Sequence, residues 1–314
     1  MSVVIPTFRS EKHIWTTLQT VEDELSNIGR MTEIIVVDDG SPDGTWNVVS
    51  KWIAEKGHRS LTKAIRLRHN AGQHSATICG LRHATGEIVV TLDDDLQNNP
   101  AEIKYATNQL LLTNCDVMIA SYERQSKAAG RKLATRAVDK LNNSLFNKPP
   151  DLKLSSFRVM RREAVNRIVE TRVPEPYLTG EIFLSTARVS NFDSTHMPRI
   201  AGKSTYTLTK LISLLRRVVV NYSTRPLRWI VHACALTSMV AAFISLFVVL
   251  SALVTSKHVP GWSSTVCVIS IFSGLILLAL AVIAEYFAAL IALLNGRSQY
   301  DIDAFISNLE VDNS

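Results

Sequence analysis

The sequence predicts an α/β domain, a mostly parallel sheet with helices on both faces, followed by an interfacial amphipathic helix and two transmembrane helices. Three observations carry this reading. Short β-rich runs alternate with helical stretches over residues 1 to 120, the pattern of a parallel sheet with crossover helices. Residues 229 to 294 contain only Lys257 and Glu285 as formally charged side chains. A group of arginines stands directly before that apolar region.

The elements follow in order. Val3, Val4 and Ile5 form a strand before a helical stretch at 12 to 28, and Ile34 to Val37 a second strand before 45 to 56. Ala64 to Leu67 precede a helix at 73 to 84, Ile88 to Leu92 precede one at 100 to 113, and Val117 to Ala120 close the set. The N-terminal apolar run ends at Pro6, too short for a secretory signal core and suited to a strand. The four cysteines, Cys79, Cys115, Cys234 and Cys267, lack CxxC spacing, so neither a zinc site nor a disulfide framework is expected.

Charge is partitioned along the chain. Residues 1 to 204 carry 27 basic and 23 acidic side chains, an ordinary balance that gives no sign of nucleic-acid binding. Residues 205 to 228 carry Lys210, Arg216, Arg217, Arg225 and Arg228 and no acid. Within them Leu208, Leu211, Ile212, Leu215, Val218, Val219 and Tyr222 recur at near-helical spacing, which fits an amphipathic helix whose cations meet anionic headgroups. A helix packed only on the preceding domain is the other reading. Stretches 229 to 254 and 265 to 294 each exceed the ~20 residues that cross a bilayer, and the basic cluster before the first puts both termini on the cytoplasmic side. A buried helical hairpin is the alternative. Glu285, an acid within a span, is expected to face a partner or an interface.

Ligands of such sheets bind beyond the carboxyl ends of the strands, and the residues there are chemically loaded. Asp38 and Asp39 open a turn, DDGSPDGT, whose carboxylates could receive the N–H and hydroxyl groups of a base and ribose. Turn chemistry with a helix cap at Asp43 or Thr45 explains the same residues. Asp93, Asp94 and Asp95 follow the fourth strand. Three adjacent acids repel, and a bound cation compensates them. Extended alternation would put Asp93, Asp95 and Gln97 on one side and turn Asp94 away. Two carboxylates and an amide oxygen suit Mg²⁺ or Mn²⁺ completed by a diphosphate; an exposed acidic turn is the plainer account.

The strings VVIPTF, VVDDGSPDGT, NAGQHSATICGLRHATG and TLDDDLQNNPAEI, in that order, resemble family 2 glycosyltransferases with the GT-A (Rossmann-like) fold. The likeness is to the membrane-bound polyprenyl-phosphate glycosyltransferases: dolichol-phosphate mannose synthases, bactoprenol glucosyltransferases and above all undecaprenyl-phosphate aminoarabinose transferases. It continues through SSFRVMRREAV, AGKSTYTLTKLISL, STRPLR and AEYFAALI with Tyr300. The resemblance implies that Pro6 and Thr7 flank a nucleotide pocket, that Asp38 and Asp39 contact the base, and that Asp93 and Asp94 lie at the nucleotide. It implies a divalent cation on Asp93, Asp95 and Gln97, and catalytic roles for Asp95, Arg124, Arg131 and Arg158. Arg131, Arg158 and Lys203 would meet the lipid phosphate, as suits cations that bind phosphate oxygens.

The expected organisation is therefore a cytoplasmic GT-A domain at 1 to 204, a juxtamembrane segment at 205 to 228, a membrane hairpin at 229 to 294 and a cytoplasmic tail at 295 to 314. The expected reaction moves a sugar, with inversion, from a nucleotide diphosphate sugar, UDP-linked by resemblance, to a polyprenyl phosphate. Relatives often carry an acid shortly before the arginine of the SSFR segment; here Asp151 is the candidate. A phosphate monoester is already ionised near neutral pH, so no general base is assigned. A processive polysaccharide synthase would carry QxxRW, and Arg228-Trp229 lacks the preceding glutamine; a non-catalytic scaffold or flippase subunit would not need the aspartate set. Membrane lipid is an expected partner, and a homo-oligomer stays open.

Overall fold

The structure is a computed structural model that describes residues 1–28, 31–55, 59–122, 139, 142–195, 197, 218–219, 221–223, 227–237, 239–240, 243, 261–294 and 299–308. The chain divides into two compact units, Met1–Leu211 with Ser298–Ser314, and Ile212–Arg297.

In the first unit the alternation expected from the sequence is present: β1 (Ser2–Thr7), α1 (Ile14–Ser26), β2 (Glu33–Asp38), α2 (Thr45–Ala54), β3 (Leu61–Leu67), α3 (Gln73–His83), β4 (Ile88–Thr91), a 3₁₀ turn (Pro100–Glu102) running into α4 (Ile103–Leu112), and β5 (Val117–Tyr122). β1 pairs in parallel with β2 and β4, and β2 with β3. All six residues of both β1 and β2 are buried, as strands covered on two faces must be. Side-chain alternation sends Val3, Ile5, Ile34 and Val36 into a core with Leu18 of α1, Trp52 of α2 and Leu110 of α4. Val4, Ile35 and Val37 point the other way, into a core with Ile78 of α3. Two layers of helices thus hold the sheet, and the carboxyl ends of β1, β2 and β4 open at one edge.

The sheet departs from the expected mostly parallel order. Among the described residues it has eight strands, in the order β7-β5-β6-β4-β1-β2-β3-β8, and is mixed. β5 is separated from β4 by β6 (Arg158–Arg161), which runs antiparallel to both. Helices α5 (Arg162–Val169) and α6 (Leu178–Ser185) follow, and β7 (Val189–Ser194) then pairs in parallel with β5. Because β6 runs against β4, its first residue pairs with the last of β4, Arg158 opposite Thr91. That inversion carries an arginine to the strand ends where the aspartates lie.

The last described residues also differ from expectation. Positions 295 to 314 were expected as a separate tail, yet Ile302–Ser307 forms β8, antiparallel to β3 at the sheet edge. The return is clamped by specific bonds. Arg82 of α3 donates to the Tyr300 hydroxyl at 3.1 Å and stacks on its ring, and Gln299 donates to the carbonyls of Thr171 and Val173. Covering an edge strand removes a row of open backbone groups.

In the second unit the expected span 265 to 294 lies within one helix, α7 (Trp262–Leu294), of 33 residues, or ~50 Å at 1.5 Å per residue. Ile269, Ile276, Leu277, Leu278, Leu280, Phe287 and Leu294 are exposed on it. Among the described residues no helix is long and apolar enough to cross a membrane, the side chains of α7 being described without a break only over residues 272 to 288. The α7 backbone continues over all 33 residues, with Glu285 as the one charged residue in its sequence. Positions 227–237, 239–240 and 243 are helical, while most of 205 to 228 and the rest of the stretch to 254 lie outside the described residues. The Tyr286 hydroxyl donates to the Ser223 carbonyl at 2.6 Å within this unit.

Candidate active site

At the end of β2, Asp38 is fully buried. Its Oδ1 accepts from the Ser41 N–H at 3.1 Å, while Oδ2 has no hydrogen-bond partner among the described residues. Burial pushes the Asp38 carboxyl up, against the two Ser41 hydrogen bonds that pull it down. Asp39 beside it is also buried and grips the loop before α3: the N–H groups of Ala71 and Gly72 donate to its two oxygens at 2.7 and 2.9 Å. Burial still lifts Asp39 to about 6, with Asp38 adding repulsion. The close turn depends on glycine. Gly40 has φ +64°, and a Cβ there would meet the His69 carbonyl carbon at 2.7 Å, a conformation and a clearance that only glycine combines at little cost.

At the end of β1, Thr7 is buried and its hydroxyl has no partner among the described residues, while its carbonyl accepts from the Asp39 N–H at 2.9 Å. Pro6 lines a small pocket of about 100 Å³ together with Gln73, His74, Thr77, Thr91, Leu92, Asp93, Ser156 and Arg158. The first residue of β6 supplies Arg158 to this pocket. Only 7% of Arg158 is exposed; among the described residues its Nε has no partner, and Nη2 donates to Thr179 Oγ1 at 3.4 Å. Burial pulls its guanidinium down from the usual range and nearby Asp93 holds it up.

The acidic turn is arranged differently from the extended alternation expected of it. β4 ends at Thr91, the chain turns through Leu96 at φ +55°, and the three carboxylates take different hydrogen-bond partners. Asp93 reaches into the small pocket, where Gln73 Nε2 donates to it at 2.7 Å and the Ser156 hydroxyl donates to its other oxygen. Burial lifts Asp93 to about 6, and repulsion from Asp95 and Asp94 adds to the rise. Asp94 accepts from the Ser10 hydroxyl, and its carbonyl accepts from Thr17 Oγ1 at 2.7 Å. Asp95, 9% exposed, accepts from the Gln97 N–H at 3.1 Å, and the Gln97 carbonyl accepts from the Met197 N–H. Among the described residues no group of three or more His, Cys, Asp or Glu side chains could hold a metal ion. A hard cation that takes most of its ligands from water and a diphosphate does not need such a cage. All-oxygen donors, and the mutual repulsion that lifts Asp93, fit such an ion.

Of the other residues singled out from sequence, Arg124, Arg131 and Lys203 lie outside the described residues. Asp151 is exposed in the connection before β6. Sequence reasoning passed over Gln73, His74, Ser156, Asn98 and Tyr177. Gln73 and His74 belong to the NAGQHSA string and open α3, and His74 meets the Tyr177 ring edge-on at 5.3 Å. A larger cavity of about 660 Å³ lies at the opposite ends of the strands, lined by Met31, Glu33, Thr85 and Lys104, and contains none of these groups. Convergent unsatisfied polar groups, rather than size, mark the site.

Glycosyl transferase family 2 matches residues 2–169, more than half of the chain. The chain belongs to that family. It is a glycosyltransferase, with an α/β, GT-A-like mixed sheet. Over 309 residues it is 25% identical to the undecaprenyl-phosphate 4-deoxy-4-formamido-L-arabinose transferase of Sodalis glossinidius (strain morsitans), covering 98% of this chain and 94% of that one. The protein of the same name from Shewanella sediminis (strain HAW-EB3) is 26% identical over 309 residues, covering 96% and 90%. Among solved structures, a mycobacterial protein superposes with a TM-score of 0.50 and 20% identity, over 70% of this chain and 72% of its own. Glucosyl-3-phosphoglycerate synthase from Mycobacterium tuberculosis, solved with Mn²⁺, UDP and phosphoglyceric acid, gives 0.49 and 18% identity over 70% and 76%.

Proposed function

We propose that this glycosyltransferase moves a sugar from a nucleotide diphosphate sugar, UDP-linked, to the phosphate of a polyprenyl phosphate at the cytoplasmic face of a membrane. The observation that carries the reading is the meeting of Asp93 and buried Arg158 in one pocket at the strand ends, beside the buried carboxylates of Asp38 and Asp39. The relatives that match nearly the whole chain are named for undecaprenyl phosphate, which supports a lipid acceptor.

Asp38 would accept from a nucleotide base or ribose, a reading supported by its buried oxygen that has no partner among the described residues, and Asp39 holds the loop before α3 beside it. Asp93 and Asp95, with Gln97, would hold a divalent cation, Mg²⁺ or Mn²⁺. Bound there, such an ion would neutralise charge on the donor diphosphate. Arg158 contributes a charged donor in a site with little water, where such a group stabilises developing negative charge most strongly. Arg124, Arg131 and Lys203 are proposed to serve the same diphosphate or the incoming lipid phosphate. That phosphate is already ionised and attacks the anomeric carbon directly as the bond from that carbon to the nucleoside diphosphate breaks and the diphosphate leaves, so one displacement inverts the anomer and no protein base is needed. The two apolar stretches are proposed as a membrane hairpin with both termini cytoplasmic. The exposed apolar side chains of α7 support this, since a helix apolar all round belongs in a core or a bilayer.

The test supplies membranes containing the protein with labelled nucleotide sugars in turn. Label in an acid-labile polyprenyl-phosphate fraction is expected for one donor. Label only in polymer, or in no lipid with any donor, refutes the assignment.

A further inference from the structure

The turn that carries Asp93, Asp94 and Asp95 is closed on itself by one amide. Asn98 is buried, at 4% exposure, and uses both ends of its side chain. Its Oδ1 accepts from the Asp93 N–H at 2.8 Å, five residues back, and its Nδ2 donates to the Tyr122 hydroxyl at 2.6 Å. The Ser156 hydroxyl, which donates to Asp93, also lies 3.4 Å from Asn98 Oδ1. Inside this ring sits Leu96 at φ +55°, a backbone state that a side chain with a Cβ adopts only when its surroundings hold it there. Tyr122 is the last residue of β5, so the ring is anchored to a neighbouring strand as well as to itself.

We propose that Asn98 is a positioning residue for the glycosyl transfer: by clasping the Asp93 backbone and the Tyr122 hydroxyl it holds the acidic turn in the shape that presents Asp93 and Asp95 to the donor. The inference rests on the donor-and-cation reading of that turn. Asn98 touches no reacting atom. It acts on the aspartates through the backbone that carries them, as groups behind a ligand shell orient the ligands in front. An amide suits this clasp, because one short side chain both accepts from the Asp93 N–H and donates to the Tyr122 hydroxyl.

Asn98→Ala and Tyr122→Phe test this in the full membrane-bound chain. Binding of UDP with Mn²⁺ is measured by calorimetry, and transfer kinetics are measured against donor, Mn²⁺ and polyprenyl phosphate separately. Asn98→Ala is expected to weaken Mn²⁺-dependent UDP binding roughly 10- to 100-fold, the range for groups that orient metal ligands, and to raise the Mn²⁺ concentration for half-maximal transfer. The KM for the lipid acceptor should stay at its wild-type value. Tyr122→Phe should shift the same constants in the same direction by less, and the double variant should be no worse than Asn98→Ala alone. If Asn98→Ala does not fold, Tyr122→Phe decides. Wild-type Mn²⁺–UDP binding in a folded variant overturns the clasp, as does an equal rise in donor and acceptor KM. A wild-type protein that binds no UDP with Mn²⁺ overturns the donor reading itself, and the clasp with it.

Discussion

Strand β2 carries an acid at each end, Glu33 at its start and Asp38 at its finish, and the protein treats the two in opposite ways. Both are buried. Glu33 is fully answered: Lys63 Nζ lies 2.5 Å from Oε1, and Ser2 and Thr85 donate to Oε2. Burial alone would raise Glu33, yet the bonds from Lys63, Ser2 and Thr85 together hold it below the usual range. At the other end, among the described residues, Asp38 keeps an oxygen without a partner, Asp39 and Asp93 rise to about 6, and Arg158 has an Nε with no partner. The described residues thus compensate the acid at one end of the strand and leave polar groups uncompensated at the other, the pattern that functional sites show.

Breaking the working end should cost most in activity. Asp95→Asn should lower sugar transfer by ~10²-fold or more, since charge stabilisation worth several kcal/mol is lost, while membrane assay fractions still contain folded protein. Full activity in that variant, or in excess chelator, would refute the cation assignment.

Breaking the finished end should cost stability instead. Glu33→Gln leaves the Lys63 ammonium without its buried partner and should destabilise the domain by about 3 kcal/mol. Denaturant unfolding checks this, with donor KM expected to remain unchanged below the transition. Asp39→Asn falls between these cases. Its amide would set an N–H against the N–H of Ala71 or Gly72, so about 1–2 kcal/mol of stability and some donor affinity should go together.

The subtlest test is pH. Asp93 and Asp39 have native values near 6 against an ordinary 3.8. Between those values the native state holds more protons than the unfolded one, so stability falls as pH rises and the penalty is complete above about 6. Glu33 has the opposite sign, since its contribution is lost as pH falls through its depressed native value. Melting temperature without nucleotide or metal should therefore stay nearly level above about pH 7, rise as pH falls through about 6 toward about 4.5, and turn down below that, where Glu33 begins to take up its proton. Asp93→Asn, whose amide can still pair with Gln73 and with a rotated Ser156 hydroxyl, should flatten the rise. An unchanged slope would mean that Asp93 titrates normally.

Much of this was legible in the chain. β1 to β5 and α1 to α4 could be read because each strand holds a short apolar run, broken in β3 by Arg66, and each helix has its own period, both local properties. DDGSPDGT and DDDLQNNP announced their place because acids directly after apolar strands are chemically conspicuous. β6 was not legible as a sheet strand, since RVMR is four residues long and begins and ends in arginine. β8 was hidden by the aspartates in and beside it and by the long apolar stretch that separates it from β3 in the sequence.

The sequence by itself determined the alternation of strands and helices, the partition of charge, and the identity of the acids at the strand ends, because these depend on neighbours within a few residues. Tertiary structure decided which way each acid faces. The turn through Leu96 gives Asp93, Asp94 and Asp95 different partners, and antiparallel β6 brings Arg158 and Ser156 to Asp93 from some sixty residues away. Asn98 closes the turn on Tyr122. No local pattern encodes those meetings, since a hydrogen bond between distant residues exists only after the sheet order has brought the two groups within 3 Å.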